Sequence, residues 1–169
     1  MTSSEEQIAV YTGSFDPITL GHLNVIERGR RLFAKIVVGV GTNVDKHSLF
    51  NQQERMDLIE KTTCQWDNVE VRSFDGLAVT FVRQCNARTM LRGIRPLTDL
   101  AGEFTMMMAN RKLDDDIETI FLMADGDLSH VSSSLIKQIT PLASNQRLAK
   151  FVPQAIIPDL RAKLAGPPD

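Results

Sequence analysis

The chain has 169 residues, of which 43% are hydrophobic and 24% are charged, and its formal net charge is −2. This length is typical of a single compact domain, and no apolar run approaches the ~20 residues of a membrane-spanning helix. The near balance of 19 basic and 21 acidic residues argues against a general nucleic-acid or membrane-surface binder.

The ends of the chain and its two cysteines carry little chemistry. The N-terminal residues are polar and acidic, unlike a secretory signal or an Arg-rich transit peptide. Cys64 and Cys85 form no metal-binding or redox spacing, which is typical of reduced, buried thiols. We therefore expect a soluble, cytoplasmic protein with one domain over residues 1–169 and flexible ends at about 1–6 and 166–169.

Short apolar, β-branched runs alternate along the chain with longer amphipathic stretches. The short runs predict five strands, at 8–11, 35–40, 69–73, 89–92 and 119–123. The amphipathic stretches predict helices, at about 21–33, 52–64, 77–86, 98–113, 133–140 and 153–164. Near-continuous apolar strands are typical of a parallel sheet covered on both faces. The sequence thus predicts an α/β fold with a Rossmann-like, doubly wound sheet of five parallel strands and additional C-terminal helices.

This fold also predicts where a ligand binds. Ligands of open α/β sheets lie beyond the carboxyl ends of the strands, where the strand order reverses. The segments that follow the five strands are 12–22, 41–51, 74–78, 93–103 and 124–134. We expect the functional residues to lie in these segments.

The segment after the first strand, 12–22, reads TGSFDPITLGH. Gly13 and Gly21 allow backbone amides to approach a ligand, and a helix that begins near Gly21 presents free N–H groups and a partial positive charge, which suits phosphate. His22 then lies in the first turn and can donate a hydrogen bond from its imidazole. The alternative is a plain turn with a surface histidine. The whole string, directly after a buried strand, favours the functional interpretation.

Basic residues follow two other strands. Lys46 lies in the loop after the second strand, and Arg92 and Arg95 lie at the end of the fourth. Guanidinium groups there can bind phosphate through two parallel hydrogen bonds. The alternative is a surface pair of arginines bound to Asp99 and Glu103. Because Arg92 follows an apolar stretch, we expect it to be half-buried and to require an anionic partner.

Three further patterns leave alternatives open. The serine run 132–134 either caps a helix or supplies hydroxyls and amides to a triphosphate, and Asp125 with Asp127 forms either a turn or a metal site. The methionines at 106–108 favour core or a subunit contact over a cofactor site. The sequence offers no convincing nucleophile with a base and no metal cluster. Phosphoryl or nucleotidyl transfer fits, because such a reaction needs mainly positioning and charge stabilisation.

At this point the sequence resembles the bacterial phosphopantetheine adenylyltransferases, a family of the nucleotidyltransferase superfamily. The matching strings are collinear over about residues 7–165. They are GSFDP at 13–17, TLGH at 19–22, Lys46, RGIR at 92–95, Glu103, the Asn110-Arg111 pair and SSSL at 132–135. The Thr-x-Gly-His motif marks the superfamily, and RGIR together with the serine run narrows the resemblance to this family.

The resemblance implies transfer of AMP from ATP to 4′-phosphopantetheine, giving dephospho-coenzyme A and pyrophosphate. It implies that His22 stabilises the transition state and that Lys46 and Arg92 hold the phosphates, and these three form the expected catalytic set. The implied acceptor site consists of Ser14, Lys46, Leu77, Ala78 and Arg92. The implied ATP site consists of Ser14, Phe15, His22, Gly93, Ile94, Arg95, Glu103, Leu128, Ser129, His130, Val131, Ser132, Ser133 and Ser134.

The resemblance also implies partners. A magnesium ion accompanies ATP, held by phosphates and water, so no protein metal ligands are expected. The family forms homohexamers, and coenzyme A is a candidate feedback ligand. No nucleic acid or membrane partner is expected.

The sequence departs from the family pattern on the nucleotide side. Gly102, Leu128 and His130 stand where aromatic residues are usual, and an Asp-Gly-Asp turn begins at Asp125 where the family has a proline. Ser14 replaces the usual threonine. The same superfamily also transfers adenylyl groups to nicotinamide mononucleotide and cytidylyl groups to glycerol 3-phosphate. A different class of function is a catalytically silent nucleotide-binding module.

Overall fold

Parallel strands form the centre of the fold. The computed structural model describes residues 7–42, 47–94 and 100–165, and within these ranges there are five strands. They are β1 (Ile8–Gly13), β2 (Lys35–Gly41), β3 (Val69–Phe74), β4 (Thr89–Ile94) and β5 (Glu118–Met123). All neighbours pair in parallel, in the order β3-β2-β1-β4-β5. The predicted doubly wound sheet is thereby confirmed.

The strands run one or two residues further than the apolar runs predicted. The ladder between β1 and β2 continues through Thr12 opposite Gly39 and Gly13 opposite Val40. The ladder between β4 and β5 likewise continues to Ile94. A glycine weakens the pattern that predicts a strand, but its backbone pairs like that of any other residue.

Seven helices flank the sheet within the described residues. They are α1 (Leu20–Leu32), α2 (Gln52–Thr63), α3 (Ala78–Gln84), α4 (Leu100–Leu113), α5 (Ser133–Ile139), α6 (Asn145–Leu148) and α7 (Ile157–Lys163). The predicted helix 77–86 is shorter at both ends, because Leu77 is the residue before α3 and Asn86 has a left-handed φ of 53°. The predicted helix 153–164 divides into a 3₁₀ turn (Gln154–Ile156) and α7, whose first turn contains a proline. The four residues of α6 are too few to show a periodic pattern.

Alternate side chains of the strands supply two separate cores. On one face, Tyr11 packs in a cluster with Ile26 of α1 and Ile59 of α2. On the other face, Val10 packs in a cluster with Phe81 and Val82 of α3. The strands β1, β2 and β4 are therefore covered on both faces, as the continuous apolar runs predicted, whereas β5 has no buried residue.

Helix α4 covers little of the sheet and is mostly exposed. Its one buried residue is Asn110, and five large apolar side chains of α4 face solvent. They are Leu100, Phe104, Met106, Met108 and Leu113. Of the two interpretations of the methionine stripe, core or subunit contact, the exposure of Met106 and Met108, 57% and 51%, rules out core for these two residues.

Some expectations fall outside the described residues. The predicted flexible ends at 1–6 and 166–169 lie there, as does the predicted start of the fourth helix at 98–99. Within the described part of the chain, no helix is long and apolar enough to cross a membrane.

We expect Gly39→Ala to lower the free energy of unfolding by about 1–3 kcal/mol, because overpacking a buried site forces its neighbours apart. A Cβ at Gly39 would overlap Cε1 of Phe81 and lie 3.0 Å from its Cδ1, and that ring is buried and stacked on Phe74. Urea unfolding measures the change. The control is Gly102→Ala on exposed α4, where a Cβ meets nothing within 4 Å. This control should stabilise the protein by up to about 1 kcal/mol, and equal stabilities would contradict the packing argument.

Candidate active site

The cleft lies where the strand order reverses, between β1 and β4. These two strands pair only from Ala9 opposite Thr89 to Tyr11 opposite Leu91, although both continue further. Beyond this point Arg92 spans the gap, because its Nη1 donates to the carbonyl oxygen of Thr12 and lies 3.3 Å from its Oγ1. The cleft therefore opens at the place that the topology predicted.

Two adjoining cavities occupy this cleft. One, which we call the His22 cavity, has a volume of about 280 Å³ and extends from His22 to the serine segment 132–134. The other, which we call the methionine cavity, has a volume of about 450 Å³ and extends between β3, α3 and α4. The residues that line both are Thr12, Gly13, Ser14, Arg92 and Glu103. A ligand in each cavity would thus meet the other at the end of β1.

His22 is held by a reciprocal cap at the start of α1. The backbone N–H of His22 donates to Oγ1 of Thr19 at 3.3 Å, and Nδ1 of His22 accepts the backbone N–H of Thr19 at 3.1 Å. Because Nδ1 is an acceptor, the neutral imidazole carries its proton on Nε2. The ring of Phe15 packs against the imidazole edge-to-face, with centroids 5.0 Å apart. The ring of His22 is thus oriented by both a hydrogen bond and an aromatic contact.

The backbone amides at the start of α1 contribute less than the sequence suggested. The N–H of Leu20 donates to the carbonyl oxygen of Phe151 at 2.9 Å, and that of His22 is used by Thr19. The imidazole of His22 is therefore the more evident donor to a ligand at this helix terminus.

Phe15 adopts an uncommon backbone conformation in the loop after β1. Its φ is 47°, in the left-handed region that costs a residue with a side chain free energy, and its ring is 2% exposed. The ring packs against Tyr11 as well as His22, with centroids 5.2 Å apart in the first case. This burial of the aromatic ring offsets the strain and fixes the path of the loop.

Three charged residues that were not among the predicted site residues hold the loop after β1 in place: Asp16, Arg55 and Lys137. Asp16 is 5% exposed, accepts the backbone N–H groups of Leu49 and Phe50 at 2.9 Å each, and forms an ion pair with Lys137 of α5. Arg55 of α2 is 2% exposed and is the second cation near Asp16. One signal was available, because Arg55 lies on the apolar face of its helix.

Arg55 joins the ends of two strands. Its Nη1 donates to the carbonyl oxygen of Ser14 at 2.6 Å and to that of Gly41 at 3.0 Å. Burial lowers the pKa of its guanidinium from the ordinary value, and the charge of Asp16 opposes that shift. The group stays protonated, since an arginine is charged at all physiological pH values.

Arg92 and Glu103 form a bidentate ion pair between the two cavities. Nε and Nη2 of Arg92 donate to the carboxylate at 2.8 and 2.6 Å. Burial alone would lower the pKa of this guanidinium, but its hydrogen bonds to Glu103 and the charges of Glu103 and Tyr11 together outweigh burial, so that its pKa lies above the ordinary value. In this structure Arg92 is therefore bound to Glu103, one of the two partners that the alternative interpretation named.

The serine segment both caps α5 and lines the His22 cavity. Oγ of Ser132 accepts the N–H of Leu135 at 3.1 Å, and Oγ of Ser133 donates to the carbonyl oxygen of Pro17 at 2.8 Å. Ser134 is exposed and lines the same cavity. The two interpretations of the serine run are thus compatible.

The structure brings most of the predicted site residues together. Those that line the His22 cavity are Ser14, Phe15, His22, Arg92, Gly93, Glu103, Leu128, Val131, Ser132, Ser133 and Ser134. Ala78 lines the methionine cavity, with Ser14 and Arg92. Leu77, Ile94, Ser129 and His130 line neither cavity. Lys46 and Arg95 lie outside the described residues.

The Asp-Gly-Asp turn after β5 is anchored rather than open to a metal. Asp125 accepts a hydrogen bond from Nδ2 of Asn24 at 2.6 Å and lies 3.3 Å from Nη1 of Arg28. Across residues 7–42, 47–94 and 100–165, no three His, Cys, Asp or Glu side chains are grouped so that they could hold a metal ion.

The sheet and the cleft at its switch point are those of a nucleotidyltransferase, and residues 10–139 match the model of the cytidylyltransferase-like family. The chain is 65% identical to a protein of Rhodopirellula baltica named phosphopantetheine adenylyltransferase, over 95% of this chain and 90% of that one. It is 44% identical to the protein of the same name from Clostridium beijerinckii, over 94% and 98% of the two chains. The chain therefore belongs to the phosphopantetheine adenylyltransferase family.

A solved structure from Vibrio parahaemolyticus shares the fold. It is described as a nicotinate-nucleotide adenylyltransferase, and it superposes with a TM-score of 0.63 over 93% of this chain and 92% of that one. Its sequence identity to this chain is 15%.

We expect the neutral imidazole of His22 to be the Nε2–H tautomer in solution, because Nδ1 accepts the N–H of Thr19. Long-range proton–nitrogen NMR spectra at alkaline pH measure which ring nitrogen is protonated. The control is His130, an exposed ring that packs edge-on against Phe151. A His22 that populates the Nδ1–H tautomer would contradict the capping geometry.

Proposed function

We propose that this chain transfers the adenylyl group of ATP to 4′-phosphopantetheine, giving dephospho-coenzyme A and pyrophosphate in coenzyme A biosynthesis. The observation that carries the proposal is the pair of cavities that meet at Thr12, Ser14 and Arg92. Two phosphate-bearing substrates in these cavities would present their reacting groups to each other. Such positioning supplies much of the catalysis when the protein forms no covalent intermediate.

The chemical step requires little proton transfer. A phosphate oxygen of the acceptor attacks the α-phosphorus of ATP and forms a new P–O bond. The bond between the α-phosphorus and the oxygen that bridges it to the β-phosphorus breaks, and pyrophosphate leaves with that oxygen. The phosphate of the acceptor is largely a dianion near neutral pH, so no strong general base is needed. Negative charge grows on the oxygens of the α-phosphoryl group. We infer that Nε2–H of His22, a residue that lines the His22 cavity, donates a hydrogen bond to that group.

The cations have separate roles in this proposal. Lys46 neutralises the acceptor phosphate and the phosphoryl group in transfer. Arg92 contributes charge between the cavities while Glu103 and Thr12 hold its guanidinium in place. Arg95 provides positive charge for the phosphates of ATP. A guanidinium that is already held in position loses less entropy when a phosphate binds.

The His22 cavity accommodates ATP. Its serine segment offers hydroxyl groups to the triphosphate, and Phe15, Gly93 and Leu128 line the same space. The nucleotide is bound as its magnesium complex, with the ion held by phosphates and water, since hard cations prefer oxygen ligands. Ile94, Ser129 and His130 line neither cavity, and no direct contact with ATP is proposed for them.

The methionine cavity accommodates the pantetheine arm. Phe74, Met106 and Met107 provide apolar contacts, and Ala78 begins the helix that borders the cavity. Leu77 is 55% exposed beside Ala78 and can close over the bound arm. Methionine side chains adapt readily to an extended, flexible ligand.

We further infer a cytoplasmic homo-oligomer, a homohexamer as in the family that the sequence resembles, with coenzyme A as a feedback ligand of the methionine cavity. The support for self-association is the stripe of Leu100, Phe104 and Met108 on α4, which are 49%, 54% and 51% exposed at a spacing of four residues. A contiguous exposed apolar patch of this kind is typical of an interface.

We expect pyrophosphate release from ATP and magnesium with 4′-phosphopantetheine, and not with nicotinamide mononucleotide or glycerol 3-phosphate.

His22→Ala should reduce kcat by about a hundredfold or more, because it removes the donor to the developing charge. Lys46→Ala should raise KM for the acceptor. Chelation of magnesium should abolish turnover, and added magnesium should restore it.

The control variant for His22→Ala is His130→Ala, because His130 lines neither cavity. Turnover with another acceptor would keep the reaction and overturn the substrate. Binding of ATP without turnover of any acceptor would favour the nucleotide-binding module. An unchanged kcat in His22→Ala would contradict the role of the imidazole.

We expect the double variant Phe104→Glu with Met108→Glu to sediment as a smaller species than the wild type, because charge is costly at an apolar interface. Sedimentation velocity measures the change. The control is Leu142→Glu, which changes an isolated leucine that is 79% exposed. A wild-type protein that sediments as a monomer would contradict the inferred oligomer.

A further inference from the structure

Helix α5 is fastened to the loop after β1 by a charged contact. Lys137 of α5 forms an ion pair with Asp16, whose side chain is 7% exposed. One turn earlier in α5, Oγ of Ser133 donates to the carbonyl oxygen of Pro17. The start of α5, which carries the serine segment, is therefore tied to the loop that leads to His22.

The carboxylate of Asp16 is held in place by further contacts. Its two carboxylate oxygens accept the N–H groups of Leu49 and Phe50, and the second cation near it, Arg55, binds the carbonyl oxygen of Ser14. The loop after β1, the segment that precedes α2 and the helix α5 thus share a single carboxylate. Hydrogen bonds to a buried charge are stronger than those between neutral groups, so this arrangement is rigid.

Lys137 itself does not line the ligand space. It lines neither the His22 cavity nor the methionine cavity, and its side chain is 34% exposed. Any effect of Lys137 on the reaction must therefore act through Asp16 and through the position of α5.

We propose that Lys137 is a positioning residue, which through Asp16 sets the distance between the serine segment and His22 and thereby the affinity for the triphosphate of ATP. This inference rests on the proposed function for the identity of the ligand. A small displacement of the serine segment relative to His22 should lower the affinity for ATP, because binding groups on two elements must reach the same phosphates.

The test compares Lys137→Met with Lys137→Arg and with Lys61→Met. Lys61→Met is the matched control. It breaks an ion pair with Asp159 that joins α2 to α7, and Lys61 lines neither cavity. Lys137→Met should raise KM for ATP and the Kd for α,β-methylene-ATP with magnesium by about tenfold, and should leave KM for 4′-phosphopantetheine within about twofold. Lys137→Arg should restore most of the affinity, and Lys61→Met should match the wild type.

The binding measurement separates this inference from the proposed function. If the wild type binds the analogue but turns over no acceptor, and Lys137→Met binds it more weakly, the positioning role stands and the proposed reaction fails. If Lys137→Met binds the analogue as the wild type does, or weakens both substrates equally, the positioning role is overturned. Lys137→Gln carries the same expectation should Lys137→Met not fold. If both variants are unfolded, the ion pair serves folding and the proposal is overturned.

Discussion

The early end of the pairing between β1 and β4 is the constraint on which the rest of the site depends. The chain builds β1, β2 and β3 outward in one direction and then returns to place β4 on the other side of β1. Helices must therefore leave the sheet to opposite faces at this point, and the two strands separate beyond Tyr11 and Leu91. A cleft at the carboxyl ends of the strands follows from this topology alone.

Charged side chains then keep the cleft open and in shape. Arg92 spans its floor from Glu103 to Thr12, and Arg55 joins the loop after β1 to the end of β2. Asp16 joins that loop to α5. Each of these groups is largely buried. Removing one partner of a buried pair would leave the charge of the other uncompensated. The site is thus surrounded by contacts that resist movement.

The walls of the two cavities differ in chemistry, and this difference gives the cleft a direction. The His22 cavity has an imidazole and the serine segment 132–134, whereas the methionine cavity has Phe74 and a cluster of methionines. The exposed apolar side chains of α4 lie on the helix that borders the methionine cavity. A surface that packs against another copy of the chain would therefore influence the shape of that cavity.

The sequence was a good guide wherever a local pattern carried the information. The apolar runs located all five described strands, and the string around His22 located the first turn of α1. It was a poor guide to helix ends such as that at Asn86, where a left-handed residue stops the helix. For the methionine stripe it left core and subunit contact open, because a helical pattern indicates an apolar face without showing what covers it.

The sequence by itself determined the class of fold, the edge of the sheet that carries the site and most of the side chains that meet there. The fold class and that edge depend on hydrophobic periodicity and on short motifs, which are properties of neighbouring residues, whereas site residues such as Phe15, Leu128 and Val131 were implied by the family resemblance. Only the tertiary structure decided that Asp16 binds Lys137, 121 positions away, and only it selected, for Arg92, the pairing with Glu103 from the alternatives that the sequence left open. A buried charge takes whichever opposite charge the completed fold brings within reach, and no local pattern specifies that choice.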